Sequence, residues 1–259
     1  MSKRNYPLIS CLCVSRNRLV QLKRAVSCFM GQTYKRCELV IVLESNNTEG
    51  ISWIKGLKLR SIKLVQVSIN PKLTLGQLRN ISLANASGDY VCQWDDDDWH
   101  HRDRLKIQLD HALMFKHPAT CLTNFIIFDA INNAAYFSKP RLWEGSILCD
   151  FSIASQIQYP DLGKSEDSIF LYNILEHGRV FPITYPGLYI YVFHGSNTWN
   201  ESHFKKLFVA SQRLSQRHAT LIRSILNGRF TLNKGSALLN SDTFLGAFNY
   251  FHYRKEFLD

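Results

Sequence analysis

A chain of 259 residues with 46% apolar and 20% charged residues can bury a full core, which excludes a disordered or fibrous protein. Its formal charge of +10 favours anionic partners, phosphates among them, without selecting one. No unbroken apolar run approaches the ~20 residues of a membrane span, and the seven cysteines show no C-x-x-C pairing of the kind that holds zinc.

Cys11, Cys13, Cys92 and Cys121 sit inside apolar runs and read as small core residues of a reducing compartment. The apolar stretch Leu8 to Val14 is too short for a secretory leader. The expected location is therefore cytoplasmic.

Leu8 to Val14 reads as a buried strand, and Ser15, Arg16, Asn17 and Arg18 open an amphipathic helix that ends at Gly31. Cys37 to Leu43 is a second strand, running into Glu44, and Ile62 to Val67 a third. Asn70 and Pro71 turn the chain, Leu78 to Ala86 fits a short helix, and Gly88 precedes a strand over Tyr90 to Trp94. Strands alternating with helices predict a parallel sheet with crossover helices. Ligands of such sheets sit at the carboxyl ends of the strands, so Ser15 to Arg18, Glu44 and the acidic run Asp95, Asp96, Asp97, Asp98 are expected at one crevice.

On extended backbone Asp95 and Asp97 share one side and Asp96 and Asp98 the other. Two such carboxylates repel unless a cation lies between them, and a hard divalent ion prefers oxygen ligands. The alternative is a solvated acidic turn ahead of a helix over Arg104 to Lys116. His100 and His101 read as surface residues.

Thr120 to Asp129 reads as one strand, paired with Ala134 to Phe137 across Asn132-Asn133 in a hairpin. Arg141 to Ser146 reads as a loop in which the Trp143 indole offers a plate for pyranose C–H groups and Glu144 bonds to hydroxyls. The competing reading buries Trp143 beside an exposed ion pair. Glu166 and Asp167 lead into a helix over Ile169 to Leu175, and Tyr189 to Val192 is a late strand followed by His194. Beyond residue 200, Phe204, Leu207, Phe208 and Leu214, and then Leu221, Ile222, Ile225 and Leu226, fit amphipathic helices stopped at Asn227-Gly228. Residues 201–259 hold nine Lys and Arg against four Asp and Glu, half of the net excess. Their last stretch sets Phe244, Phe248, Tyr250, Phe251, Tyr253 and Phe257 beside Arg254 and Lys255. Such a tail suits either an anionic membrane surface or an aromatic cover for the core.

The Ser15-Arg16-Asn17-Arg18 opening, Glu38 to Val42 closing on an acid, Leu78-Arg79-Asn80 with Ala86-Ser87-Gly88-Asp89-Tyr90, and Asp95 to Asp98 together resemble family 2 glycosyltransferases. Ser165-Glu166-Asp167, His177-Gly178 and Tyr189 to Val192 with His194-Gly195 resemble that family's later motifs, in the same order. The resemblance implies an α/β, GT-A fold: a Rossmann-like, mostly parallel central sheet flanked by helices. Residues 1–200 would form the catalytic domain and residues 201–259 a helical extension. It further implies inverting transfer from a nucleotide diphosphate sugar, a UDP-sugar, with Mn²⁺ or Mg²⁺, to a saccharide or lipid-linked saccharide in surface polysaccharide synthesis.

In these terms Asp167 is the base. Ser15, Arg16, Asn17, Glu44, Arg79, Asp95 and Asp96 meet the donor, Asp97 and His194 the metal, and Trp143, Glu144 and Glu166 the acceptor. Relatives commonly carry two aspartates where this chain has Leu43-Glu44, which puts Glu44 at the nucleobase. Two rival functions stand beside this one. A nucleotidyltransferase wants a glycine-rich phosphate loop, and residues 15–18 contain no glycine; a carbohydrate-binding or assembly protein on a transferase scaffold would not turn over donor. Nucleic-acid binding rests on charge alone. The sequence selects no oligomeric state.

Overall fold

The structure, a computed structural model, describes residues 6–178, 180–241 and 244. The first half alternates as expected: β1 (Ile9–Ser15), α1 (Leu19–Met30), β2 (Cys37–Glu44), α2 (Thr48–Leu57), β3 (Ile62–Val67), α3 (Leu75–Ala84) and β4 (Tyr90–Gln93). Helix α1 buries Leu22, Ala25, Val26, Cys28 and Phe29 on one face, the 3.6-residue pattern that marks it in the sequence. Helix α2 was not anticipated; the Asn47 side chain caps it by accepting from the Gly50 N–H, and Ile51 and Ile54 are its buried anchors. Helix α3 begins three residues before its apolar pattern, because Thr74 and Gln77 form a reciprocal capping box. Gly88 permits close approach of two chain segments, since a Cβ there would lie 2.7 Å from the Ser10 nitrogen.

The second half runs β5 (Trp99–His100), α4 (Arg104–Phe115), β6 (Ala119–Leu122), β7 (Ile126–Asp129), β8 (Ala134–Phe137), β9 (Trp143–Asp150), α5 (Phe151–Ile157), α6 (Glu166–His177), β10 (Val180–Ile183) and β11 (Tyr189–Phe193). It closes with α7 (Glu201–Ala210), β12 (Gln212–Arg213), α8 (Gln216–Leu226) and α9 (Leu232–Leu239). Two expectations fail here. The single strand over Thr120 to Asp129 is two strands in different sheets, β6 and β7. The expected loop Arg141 to Ser146 is mostly strand, because β9 pairs antiparallel with both β4 and β6. The β7–β8 hairpin forms as read, with Asn133 in left-handed backbone (φ 49°) at its turn.

Among the described residues seven strands form the central sheet in the order β10-β6-β9-β4-β1-β2-β3, and five form a second sheet, β12-β8-β7-β11-β5. β1, β2, β3 and β4 are parallel neighbours, so their carboxyl ends lie along one edge. Helices flank the central sheet, and the fold is α/β as expected. Cys11, Cys13, Cys92 and Cys121 are buried free thiols in it.

Residues beyond 200 are packed into the same molecule. Phe204 joins the core of Trp143, Tyr189 and Tyr191, while Ile222, Ile225 and Leu239 join that of β1 and β2. The extension also supplies a strand, with β12 pairing β8. Phe244 is buried, its ring edge-on to His218; Phe248, Tyr250, Phe251, Tyr253, Arg254, Lys255 and Phe257 lie outside the described residues. No described helix is long and apolar enough to cross a membrane.

Candidate active site

A cleft of about 670 Å³ opens over the carboxyl ends of β1 and β4. Ser15 ends β1, Glu44 ends β2, and Asp95 to Asp98 follow β4, so parallel pairing sets them side by side. Ser15 Oγ donates to Asp96 at 2.5 Å. Arg16 donates to Glu44 at 2.8 Å. Arg18 donates to Asp97 at 2.7 Å and stands 3.6 Å from Asp96. Asn17, by contrast, is exposed in left-handed backbone (φ 50°); it turns the chain toward α1 and does not line the cleft.

The acidic run is a turn rather than extended strand, so alternation does not sort its side chains. Asp96 and Asp97 share Arg18, whereas Asp95 accepts from Arg79 at 2.9 Å and from Gln93. Asp97 also meets His194 Nε2 at 3.0 Å. Burial opposes its charge, but His194 and Arg18 hold the Asp97 carboxyl below its ordinary value. Asp96 moves the other way, pushed up to about 7 by burial and by Asp97. Asp98 reaches the edge of the cleft, but its carboxylate is taken: Tyr189 O–H and the Val192 N–H donate to it, pinning the turn to β11.

Behind the turn stands a residue the sequence did not reveal. Arg104, with 0% exposure, lies between the Trp94 and Tyr189 rings and donates to Gln93 O at 2.9 Å and His100 Nδ1 at 2.6 Å. With Nδ1 accepting, His100 Nε2 carries the hydrogen and donates to Asp95 O at 3.3 Å. Burial and Arg104 push His100 well below its ordinary pKa, and burial takes His101 down to about 4. Both histidines are wholly buried struts, contrary to their expected surface position. An Arg at the start of an amphipathic helix reads as solvated, so composition alone gives no signal for this one.

The opposite wall is the start of α6. Ser165 adopts φ 62° and aims Glu166 and Asp167 apart. Glu166 is buried and accepts from Arg79 Nε at 2.8 Å; Asp167 lines the cleft. Burial, then Glu166, raise the Asp167 carboxyl to about 7. Arg79 is therefore forked between Asp95 and Glu166, and the two charges outweigh the burial that would lower its pKa. An arginine already holding two carboxylates is a bracket of the site, not a free phosphate ligand.

The expected acceptor trio is corrected in the same way. Trp143 reaches the edge of the cleft but is 6% exposed, with its ring packed on Phe125 at 4.4 Å and Tyr191 at 4.6 Å, which leaves little of it for a sugar; among the described residues its buried Nε1–H has no partner. Glu144 is paired with Arg141 and accepts from Ser168 at 2.9 Å, and Glu166 belongs to Arg79. A more exposed aromatic of the cleft is the half-buried Trp199, one face stacked on His203 at 4.4 Å and 16° and the ring otherwise met by the mobile-chained Lys164, whose Nζ is 5.9 Å from its centroid. Trp199, His203, Lys164 and Lys72 all line the cleft, and the sequence reading missed all four.

The donor set suits a hard divalent cation. Asp97 and His194 already touch, and Asp95 and Asp96 line the same cleft. Among the described residues no group of three or more His, Cys, Asp or Glu side chains converges.

The profile of glycosyl transferase family 2 matches residues 10–164. An uncharacterized glycosyltransferase of Haemophilus influenzae is 30% identical over 111 residues, 42% of this chain and 44% of that protein; the chain thus spans under half of that relative's length. Among solved structures, S. aureus TarS 1–349 in complex with UDP superposes with TM-score 0.59 at 16% identity, over 90% of this chain and 75% of that one. The same protein in complex with UDP-GlcNAc gives TM-score 0.58 at 13% identity, over 93% and 79%. The matched segment holds both strand-end clusters, the acidic turn and Arg79, and by it this chain belongs to glycosyl transferase family 2.

Proposed function

We propose that the protein transfers a sugar from a nucleotide diphosphate donor, a UDP-sugar, to an acceptor hydroxyl with inversion at the anomeric carbon. The observation that carries this reading is the pairing, across one cleft, of an acidic turn bound by Arg18 and Arg79 with a carboxylate, Asp167, that lines the cleft and is in no salt bridge among the described residues. A glycosidase needs two catalytic carboxylates; here the other nearby acids are held by Arg79, Arg18, Ser15 and Arg141.

Asp167, raised to about 7, is matched to take a proton at neutral pH. It removes the acceptor hydroxyl proton as that oxygen attacks the anomeric carbon. The bond from that carbon to the diphosphate oxygen breaks on the opposite face, and the electron pair leaves with the nucleoside diphosphate. Arg16 and Lys72, both lining the cleft, are cations available to the phosphates. A bound Mn²⁺ or Mg²⁺, held by Asp97 and His194, would supply charge neutralisation for the leaving group.

Glu44 pairs with Arg16 at the end of β2, and its assigned role is at the nucleobase, where a carboxylate accepts the uracil imide N–H, which cytosine lacks. The binding of UDP and UDP-GlcNAc by the TarS structures supports a uridine donor. Trp199 is assigned as the sugar platform for a saccharide acceptor, free or lipid-linked, of the kind that surface polysaccharide synthesis would use. A panel of nucleotide sugars with Mn²⁺, scored by nucleotide release, tests the reading. Turnover of a UDP-sugar supports it; binding without release in every case would favour a carbohydrate-binding scaffold.

A further inference from the structure

We propose that a second, basic hollow adjoining the cleft binds a phosphate-bearing anion. The hollow has a volume of about 440 Å³ and is walled by Arg24, Arg223, Arg229 and His194 over an apolar floor that includes Phe128 and Leu226. No carboxylate of the described residues lines it. The three arginines come from separate segments. Arg24 lies on α1, Arg223 in the last turn of α8, and Arg229 follows Gly228, whose φ of 70° reverses the chain.

An arginine in a last helical turn offsets the helix dipole by itself. That role explains Arg223, and Arg24 is held by backbone oxygens of the acidic turn, but neither accounts for Arg229 on the wall of the same hollow. Like charges gathered at one hollow repel until an anion joins them. Guanidinium groups match phosphate oxygens two at a time, and the apolar floor accommodates a carbon chain or ring attached to the phosphate. The ligand class is therefore a phosphomonoester or phosphodiester bearing an apolar group.

The hollow is tied to the acidic turn at two points. Arg24 donates to the backbone oxygens of Asp97 and Asp98, and His194 reaches from the hollow's wall to Asp97. An anion in the hollow thus shares its ligands with the segment that shapes the cleft. The assignment does not depend on the reaction proposed above.

Calorimetric titration of the whole protein with inorganic phosphate, and co-sedimentation with phosphatidylcholine vesicles with and without phosphatidic acid, test it. Each is run on wild type and on the double variant Arg223→Ser, Arg229→Ser. Both side chains are exposed, so the melting temperature should hold. Removing two charge-assisted contacts should weaken anion binding at least about tenfold. Loss of phosphate binding in the variant supports a soluble ligand, and loss of vesicle binding alone supports a lipid headgroup. Undiminished binding by the variant, or no binding by wild type in either arm, would overturn the proposal.

Discussion

Arg79 Nε donates to Glu166 Oε1 at 2.8 Å inside the cleft wall, and the same guanidinium reaches Asp95 at 2.9 Å. One buried residue of α3 thereby fixes the distance between the acidic turn after β4 and the helix start that carries Asp167. Removing one partner of a buried pair strands the other charge, so Arg79→Met should lower folding stability by about 3–5 kcal/mol. Arg79→Lys, which keeps the charge but has no fork, should fold better than the Met variant and lose more in kcat than in KM. Chemical denaturation and steady-state kinetics on both variants check this.

Asp167 supplies the pH dependence. Its ionised form is the base, so turnover should fall as pH drops through about 7. Glu166 is the second cause of that elevation after burial, so Glu166→Gln should move the acid limb to lower pH. A group whose folded pKa lies above its unfolded value favours folding when protonated, and that contribution is lost as pH rises through about 7. Asp167→Asn should therefore resist denaturant better than wild type at pH 8. Rate profiles and denaturation curves at several pH values test both signs.

Asp97 and His194 are expected to hold the cation. Asp97→Asn and His194→Ala should each weaken Mn²⁺-dependent donor binding by about 10- to 100-fold, and chelator should lower wild-type affinity in the same way. Titration of donor with and without metal is the check. Donor affinity indifferent to chelator would remove the metal from the scheme.

Two tryptophans should part company. Trp143→Ala empties a packed core position and should cost about 3–5 kcal/mol of stability. Trp199→Ala should leave the fold intact and raise the acceptor KM by about tenfold through loss of the ring surface. Thermal melts separate the first from the second, and acceptor kinetics test the second.

The legible part of this chain is the part built from local pattern. The strands β1 to β4 and helix α1 follow from apolar period, and the convergence of Ser15, Glu44 and the aspartates follows from parallel topology. What escaped the sequence are contacts between distant segments. Arg104 looks like any first-turn helix residue until it is found between Trp94 and Tyr189. Asp98 looks like its three neighbours until Tyr189 and Val192 claim it. Trp143 and Glu144 lie in a segment with polar, loop-like composition, and only pairing with β4 and β6 makes it strand. Alternation, which sorted the aspartates by side, applies to extended backbone and fails in the turn they form.

The account turns on Asp167 acting in the chemical step and not in donor binding. The most direct measurement is nucleotide release from a UDP-sugar in Mn²⁺ by wild type and Asp167→Asn, with donor affinity measured on the same preparations. The account predicts near-equal affinity and a release rate lower by about 10²- to 10⁴-fold in the variant. Equal release by the two proteins, or loss of release in Glu166→Gln at every pH while Asp167→Asn still turns over, would contradict it.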